Sequence, residues 1–432
     1  MTARVVRRAP VSGAHEITEM NERADRWTSR GTSGRPQLAH PRSPVLSGTD
    51  VAMLLAMMYS APLVFAPIYM FSTAGSSAWI SGLISGVIGV GVVYLWTKLS
   101  AEFPGQTLPK IVEQIAGPWI GWLVNVIFTA YFLLECGVSA RMIGEVMLQI
   151  LPETPLLVLM ATALVAGAVA ARLGPQTLAR MATVHVGVGS ISFLITLVAL
   201  APLIEFRNIF PVLVDGWAPV IQGASPPVAL LSHVALIALL LPLTYSPATQ
   251  PVNPPHGAAQ RDNTTRDPDY FRRGLWAGVA GMGFAWAAFY LMLVLEQGIF
   301  SAEEASRLAI PALSVARAID VGVFFERVEV LLIAIWLPAV LIKMCLFIYS
   351  TATMIDHLAG TQESWGHYVV PLAAVSLPLA YTLAVDLPTL IRLINGAWAA
   401  LAIIIKVILP LVILGVHLVQ RRVSRAGRSH MA

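Results

Sequence analysis

From Asp50 onward the apolar residues fall in continuous runs of about 17 to 25, separated by shorter polar or Pro- and Gly-rich stretches. A helix of about 20 apolar residues crosses the hydrocarbon core of a bilayer, whereas lipid-spanning strands alternate polar and apolar positions over about 10 residues. The pattern therefore predicts an all-α polytopic membrane protein rather than a barrel. Ten spans are expected, at about 50–72, 78–97, 119–150, 155–172, 183–203, 227–243, 275–296, 329–352, 369–386 and 397–419. The third, at about 32 residues, would be about 48 Å long at 1.5 Å per residue and must tilt or project. Lys98 to Pro118 reads as an interfacial segment, and Thr244 to Arg273 as a polar loop with Pro247, Pro251, Pro254 and Pro255.

Residues 1–46 contain no apolar run and are rich in Arg, Ser, Thr and Pro, so they are expected to form a disordered cytoplasmic tail. Arg7 and Arg8 are not followed by an apolar stretch or a small-residue cleavage site, which argues against a cleaved export signal. The domain layout is then tail 1–46, a ten-helix permease-like body 47–420, and a short basic cytoplasmic tail 421–432.

Composition sharpens this picture. Of 432 residues, 56% are hydrophobic and 12% charged, against roughly 25% charged in soluble domains, which excludes a soluble enzyme. Cytoplasmic loops carry the excess of Lys and Arg. With both termini inside, 20 basic residues lie on the cytoplasmic side and five (Arg207, Arg307, Arg317, Arg327 and Arg392) on the other. The Asn263 sequon then falls in a cytoplasmic loop and is a chance match. The net charge of +4 is a topology signal, although the basic tails could also bind anionic lipid. Four acids interrupt the N-terminal arginines, so no nucleic-acid partner is expected.

Ionisable residues inside a span are costly and hence functional suspects. Glu135, Arg141 and Glu145 share the third span, with Arg141 and Glu145 four apart and within salt-bridge reach. Glu135 is deeper, with no partner expected at helical spacing, and is the better proton-titrating or polar-site residue. Lys343, near the middle of the eighth span, cannot easily reach the interface and must find an acceptor or a water-filled cavity. Lys406, in the tenth span, has no neighbouring polar residue and receives no role. His185 and His233 read mainly as hydrogen-bonded packing residues. Cys136 and Cys345 read as small buried hydrophobes, since no CxxC or His cluster accompanies them. No HExxH, GxSxG, Walker A or paired catalytic Asp pattern occurs, so neither an enzyme nor a cofactor or metal site is expected.

Broken helices are a further signal. In inverted-repeat transporters, corresponding helices of the two halves are interrupted near the midplane, and the freed backbone groups bind the solute. The first span holds Tyr59, Ser60, Ala61, Pro62 and then Pro67, and the sixth is short, with Ser232, His233 and Pro242. A five-plus-five inverted repeat with broken helices 1 and 6 follows.

Several segments carry a family resemblance: Ala78-Trp79-Ile80-Ser81, Phe103-Pro104-Gly105-Gln106-Thr107-Leu108, Leu151-Pro152-Glu153-Thr154-Pro155 and Ile209-Phe210-Pro211-Val212-Leu213. Phe325-Glu326-Arg327-Val328-Glu329, running into Trp336 and Lys343, adds to them. In this order the chain resembles, over about residues 46 to 419, the spore germination permease family. These are the GerAB-like B subunits of nutrient germinant receptors, within the amino acid/polyamine/organocation superfamily. The resemblance implies a multi-pass protein of the spore inner membrane, with A-type and C-type (lipoprotein) partner subunits, that senses a small amino-acid-like germinant. The ligand would sit between spans 1, 3, 6 and 8, near Tyr59, Ser60, Pro62, Ser232 and His233. A proton-coupled amino-acid transporter, with Glu135 or Lys343 titrating, and a ligand-free scaffold subunit are the alternatives. The chain departs from the family pattern in having Ser60-Ala61-Pro62 for a Gly-rich break and Ser232-His233 for a Gly-Glu pair.

Overall fold

A computed structural model describes residues 46–58, 62–244, 268–317, 329–361 and 365–429. The described residues are almost entirely helical and contain no strand. Seven helical runs are long and apolar enough to cross a membrane unaided, by length and composition. They cover the second, third, fifth, sixth, seventh, eighth and tenth spans expected above, the first of them taking in part of the first span as well. The broken first span, the 17-residue helix Leu156–Arg172 and the proline-bearing helix Trp365–Thr382 complete ten passes.

Span 1 is two helices, Gly48–Met58 and Pro62–Ala74, and a single 3-10 turn joins the second to span 2, Ala78–Ala101. Tyr59 and Ser60 lie outside the described residues, and Pro62 opens the second half-helix. Span 6 is interrupted differently. After Ser225–Leu231 the backbone tightens to a 3-10 helix over Ser232–Leu236, relaxes over Ile237–Leu240 and tightens again over Leu241–Thr244.

The expected interfacial segment and third span are one continuous run, Leu108–Leu148, bent at Gly117. Gly117 has φ 80°, which only glycine adopts freely, and Pro118 follows with no N–H to give, so the chain turns there without leaving helix on either side. Span 7 extends well beyond 275–296, covering Pro268–Ala305 with a bend at Ser301. Span 8 is Glu329–Leu358. Span 10 begins at Leu387 and continues to Ser429, interrupted by π-turns over Ile394–Trp398 and Ile404–Ile408. Asp386 starts it by accepting the Thr389 N–H at 2.8 Å.

Packing follows the five-plus-five order. Span 3 packs on span 8, span 2 on span 7 and span 4 on span 9, each partner five places on in the chain, while the halves of span 1 touch span 6. Spans 3, 4, 8 and 9 form one bundle, and spans 1, 2, 6 and 7 the other. Small residues allow close approach within the second: a Cβ on Gly281 would lie 2.2 Å from the Ala52 carbonyl oxygen of span 1. Span 6 is almost wholly buried.

Candidate functional site

The residue that organises the interior is Glu135. It lies on span 3, fully enclosed, and five donor side chains from four spans converge on its carboxylate. Tyr131, one turn earlier on the same helix, donates its hydroxyl to Oε1 at 2.5 Å. His233 Nε2 stands 2.9 Å from the same oxygen, Trp398 Nε1 donates at 3.2 Å, and Lys406 Nζ lies at 3.9 Å. The second oxygen, Oε2, faces Lys343 Nζ at 3.4 Å, an ion-pair distance without a hydrogen bond.

Local backbone irregularity makes this convergence possible. The 3-10 turn pairs each N–H with the carbonyl three residues back, which leaves the Ala229 carbonyl free of its usual helical partner. Ser232 Oγ donates to it at 2.5 Å and Lys406 Nζ at 3.0 Å. On span 10 the two π-turns carry Trp398 and Lys406, and the Lys406 carbonyl accepts the Trp96 indole N–H at 2.8 Å. Aromatic rings wall the ammonium groups. Lys406 Nζ lies 5.0 Å from the Tyr131 ring centre, Lys343 Nζ 5.6 Å from that of Phe347, and Tyr131 stacks on Trp398 at 5.3 Å.

The chemistry of this arrangement turns on His233. Its Nδ1 is 2.7 Å from the Leu230 carbonyl oxygen and its Nε2 is 2.9 Å from Glu135 Oε1, so both ring nitrogens face acceptors. A neutral imidazole has one N–H to give. An N–H on Nε2 would serve Glu135 and one on Nδ1 the Leu230 carbonyl, so the tautomer decides which of the two contacts is the hydrogen bond. Lys343 and Lys406 set two amines against this one carboxylate in a site closed to water. The surroundings are tight: the cavity beside His233, lined by Leu55, Met58, Leu231 and Met282 among others, measures only about 10 Å³.

Three expectations can be placed directly. Lys343 does find an acceptor, Glu135. The Arg141–Glu145 pair forms, with Arg141 Nε and Nη2 each 2.8 Å from Glu145 Oε1, and Arg141 Nη1 also reaches the Tyr381 carbonyl at 3.0 Å, tying span 3 to the end of span 9. It is a separate contact from the Glu135 group. Ser232 and His233 lie on the 3-10 stretch that interrupts span 6, as the short sixth span suggested, and His233 reaches Glu135.

Other expectations need correction. Glu135 has a partner at helical spacing after all, Tyr131, four residues before it. Lys406, given no role, belongs to the site, because span 10 brings it against Glu135 from 271 positions away in the chain. His233 is buried and its ring contacts the Leu230 carbonyl and Glu135. Trp398 was not singled out, and neither was Glu296. The latter is fully buried at the end of the expected seventh span, and neither of its carboxyl oxygens has a hydrogen-bond partner. The adjacent Gln297 donates to the Ser76 carbonyl at 2.7 Å. Cys136 and Cys345 are free and buried. Among the described residues no group of three or more His, Cys, Asp or Glu side chains could hold a metal ion.

Comparison with known proteins adds a family and a fold. A family model described as "Spore germination protein" matches residues 47–250 and 271–384. The spore germination protein YndE of Bacillus subtilis (strain 168) is 23% identical over 315 residues, covering 72% of this chain and 80% of that protein. Spore germination protein KB of the same organism is 23% identical over 323 residues, covering 73% and 79%. Among solved structures, MhsT in complex with L-phenylalanine superposes with a TM-score of 0.58 at 12% identity, covering 89% of this chain and 99% of that one. The Eremococcus coleocola manganese transporter, in complex with an aromatic bis-isothiourea substituted compound, gives 0.60 at 13% identity, covering 87% and 82%. At such identities the structural likeness shows the fold alone.

Proposed function

The chain belongs to the spore germination protein family, and from that membership we propose that it is the membrane subunit of a spore germinant receptor that senses an amino-acid-type nutrient. The observation that carries this reading is the excess of amines over carboxylates around Glu135, sealed between spans 3, 6, 8 and 10 at the point where span 6 tightens to a 3-10 helix. A ligand carboxylate is the group that such a site lacks. Entering between spans 1, 3, 6 and 8, it competes with Glu135 for Lys343, whose bond to Oε2 is the longest and least directed in the cluster apart from the distant Lys406 contact. A ligand that binds the opened arrangement better than the closed one shifts the population toward it, and a neighbouring subunit can read that shift without any solute crossing. The partners in this reading are A-type and C-type (lipoprotein) subunits in the spore inner membrane, with both termini of this chain cytoplasmic.

A second reading, a proton-coupled amino-acid transporter, draws on the proton that His233 and Glu135 share. Two measurements separate them. Spores in which this subunit carries His233→Gln should need at least tenfold more germinant for a half-maximal response, at unchanged subunit level; an unchanged threshold overturns the sensing site. Concentrative, pH-driven uptake of labelled amino acids into proteoliposomes holding the purified protein would replace the receptor by the transporter.

A further inference from the structure

The contacts at Glu135 are unevenly shared between its two oxygens. Tyr131, His233, Trp398 and Lys406 all address Oε1, and Lys343 alone addresses Oε2. Both amines have N–H groups to spare, since an ammonium carries three donors. Lys343 Nζ meets Oε2 at 3.4 Å as an ion pair without a hydrogen bond. Lys406 Nζ donates to the Ala229 carbonyl at 3.0 Å while standing 3.9 Å from Oε1. The two amines thus flank one carboxyl group, each nearer a different oxygen, and a short molecule can reach both.

A ligand that displaces Glu135 from Lys343 has to satisfy every charged group it disturbs, because the site is closed to water and a buried charge without a partner is costly. A molecule with one carboxylate and one ammonium leaves the amines in excess, its own and the two lysines against Glu135 and a single ligand carboxylate. A dicarboxylate without an amine gives the displaced Glu135 no new cation. An acidic amino acid brings two carboxylates and one ammonium, so that each lysine receives a carboxylate and Glu135 an ammonium. The tight surroundings favour the shorter member of this class: the space beside His233, walled by Leu55, Met58, Leu231 and Met282, measures about 10 Å³. A larger interior space of about 270 Å³, enclosed by spans 1, 5, 7 and 8, has almost wholly apolar walls and no charged side chain to meet such a ligand.

We propose that the ligand of the Glu135 site is an acidic α-amino acid of the size of aspartate, with one carboxylate on Lys343, the other on Lys406 and its ammonium on Glu135. The assignment rests on the sensing reading above and names the class of ligand sensed.

The test is calorimetric titration of the full-length protein in lipid nanodiscs with L-aspartate, L-asparagine, L-alanine and succinate. Asparagine keeps the shape of aspartate with a carboxamide for the second carboxylate, and succinate is aspartate without its amine. Aspartate should bind at least tenfold more tightly than each of the other three, because a site built around a polar group discriminates against the analogue that lacks it. Lys406→Met should weaken aspartate binding at least tenfold and asparagine binding less than twofold, since only the second carboxylate uses that amine. Glu135→Gln should weaken aspartate binding more than succinate binding. Where these variants fail to fold, the four ligands on the unchanged protein decide the matter. Asparagine or alanine binding as tightly as aspartate would overturn the acidic class and leave amino-acid sensing standing. Succinate binding as tightly as aspartate would overturn the pairing of Glu135 with a ligand ammonium. Binding of none of the four would overturn both this assignment and the reading on which it rests.

Discussion

Span 1 separates two interiors built on opposite principles. Through Leu55 and Met58 it borders the tight space beside His233, and through Ala56 and Met57 it borders a cavity of about 270 Å³. Where the chain buries charge it leaves no room, because each ionic group must be met at hydrogen-bond or ion-pair distance and its neighbours close around it. Where the walls are apolar, space can persist, since nothing there demands contact. The difference bears on the ligand: a charged one must force the helices apart at Glu135, because the space already made has no charge to meet it.

The strongest way to break this contrast is to remove the charge that organises the tight side. Glu135→Gln leaves Lys343, Lys406 and His233 without their carboxylate, and breaking a buried pair from one side costs about 3–5 kcal/mol. The expected result is a large fall in the melting temperature of the purified protein in detergent. Adding Lys343→Met should recover part of the loss, because it removes one stranded ammonium. Losses that simply add, within about 0.5 kcal/mol, would show that the two residues are not coupled.

A smaller effect is expected from Lys406→Met. It keeps the bulk of the side chain but removes one of the two donors to the Ala229 carbonyl, leaving Ser232 Oγ, and the loss of one charged hydrogen bond costs about 1.5–3 kcal/mol. Hydrogen exchange should report it first in span 6, over residues 229–236. A loss confined to span 10 would mean that the lysine braces its own π-turn and leaves span 6 alone.

The smallest effect belongs to a carboxylate in water. Asp386, fully exposed between spans 9 and 10, is held below its usual acidic range chiefly by the hydrogen bonds from Thr389, with Arg392 adding to them. A lowered folded-state pKa contributes stability above the unfolded value near 3.8 and loses it as the pH falls through the folded value. Asp386→Ala should therefore lower the melting temperature slightly at pH 7, with the gap from the unchanged protein closing as the medium is acidified to about pH 3 and below. A gap independent of pH would assign the effect to the helix start alone. Set beside Glu135→Gln, it measures what burial adds to the worth of one carboxylate.

Much of the architecture was legible in the sequence because bilayer thickness imposes it. A run of about 20 apolar residues has one comfortable place to be, so span number and approximate position follow directly. Two site relations were legible for the same kind of reason. Arg141 and Glu145 lie one turn apart, and an ammonium as deep as Lys343 requires an acceptor. Tyr131, one turn before Glu135, was equally readable by spacing but carries no charge to draw attention. Span 7 was placed too short at both ends, since the helix begins at Pro268 and runs on past the buried Gln297.

The sequence by itself determined that this is a ten-pass helical protein, broken in spans 1 and 6, with a handful of ionisable groups that water cannot reach, since hydropathy and helical period are local properties of the chain. Only the tertiary structure decided which of those groups meet. Lys406 and Trp398 reach Glu135 through two π-turns and a packing of spans 3 and 10 that no local spacing encodes, and His233 reaches it because span 6 tightens to 3-10 at that point. The apolar cavity is likewise a product of packing alone, a gap between four helices each of which reads, taken singly, as an ordinary membrane span.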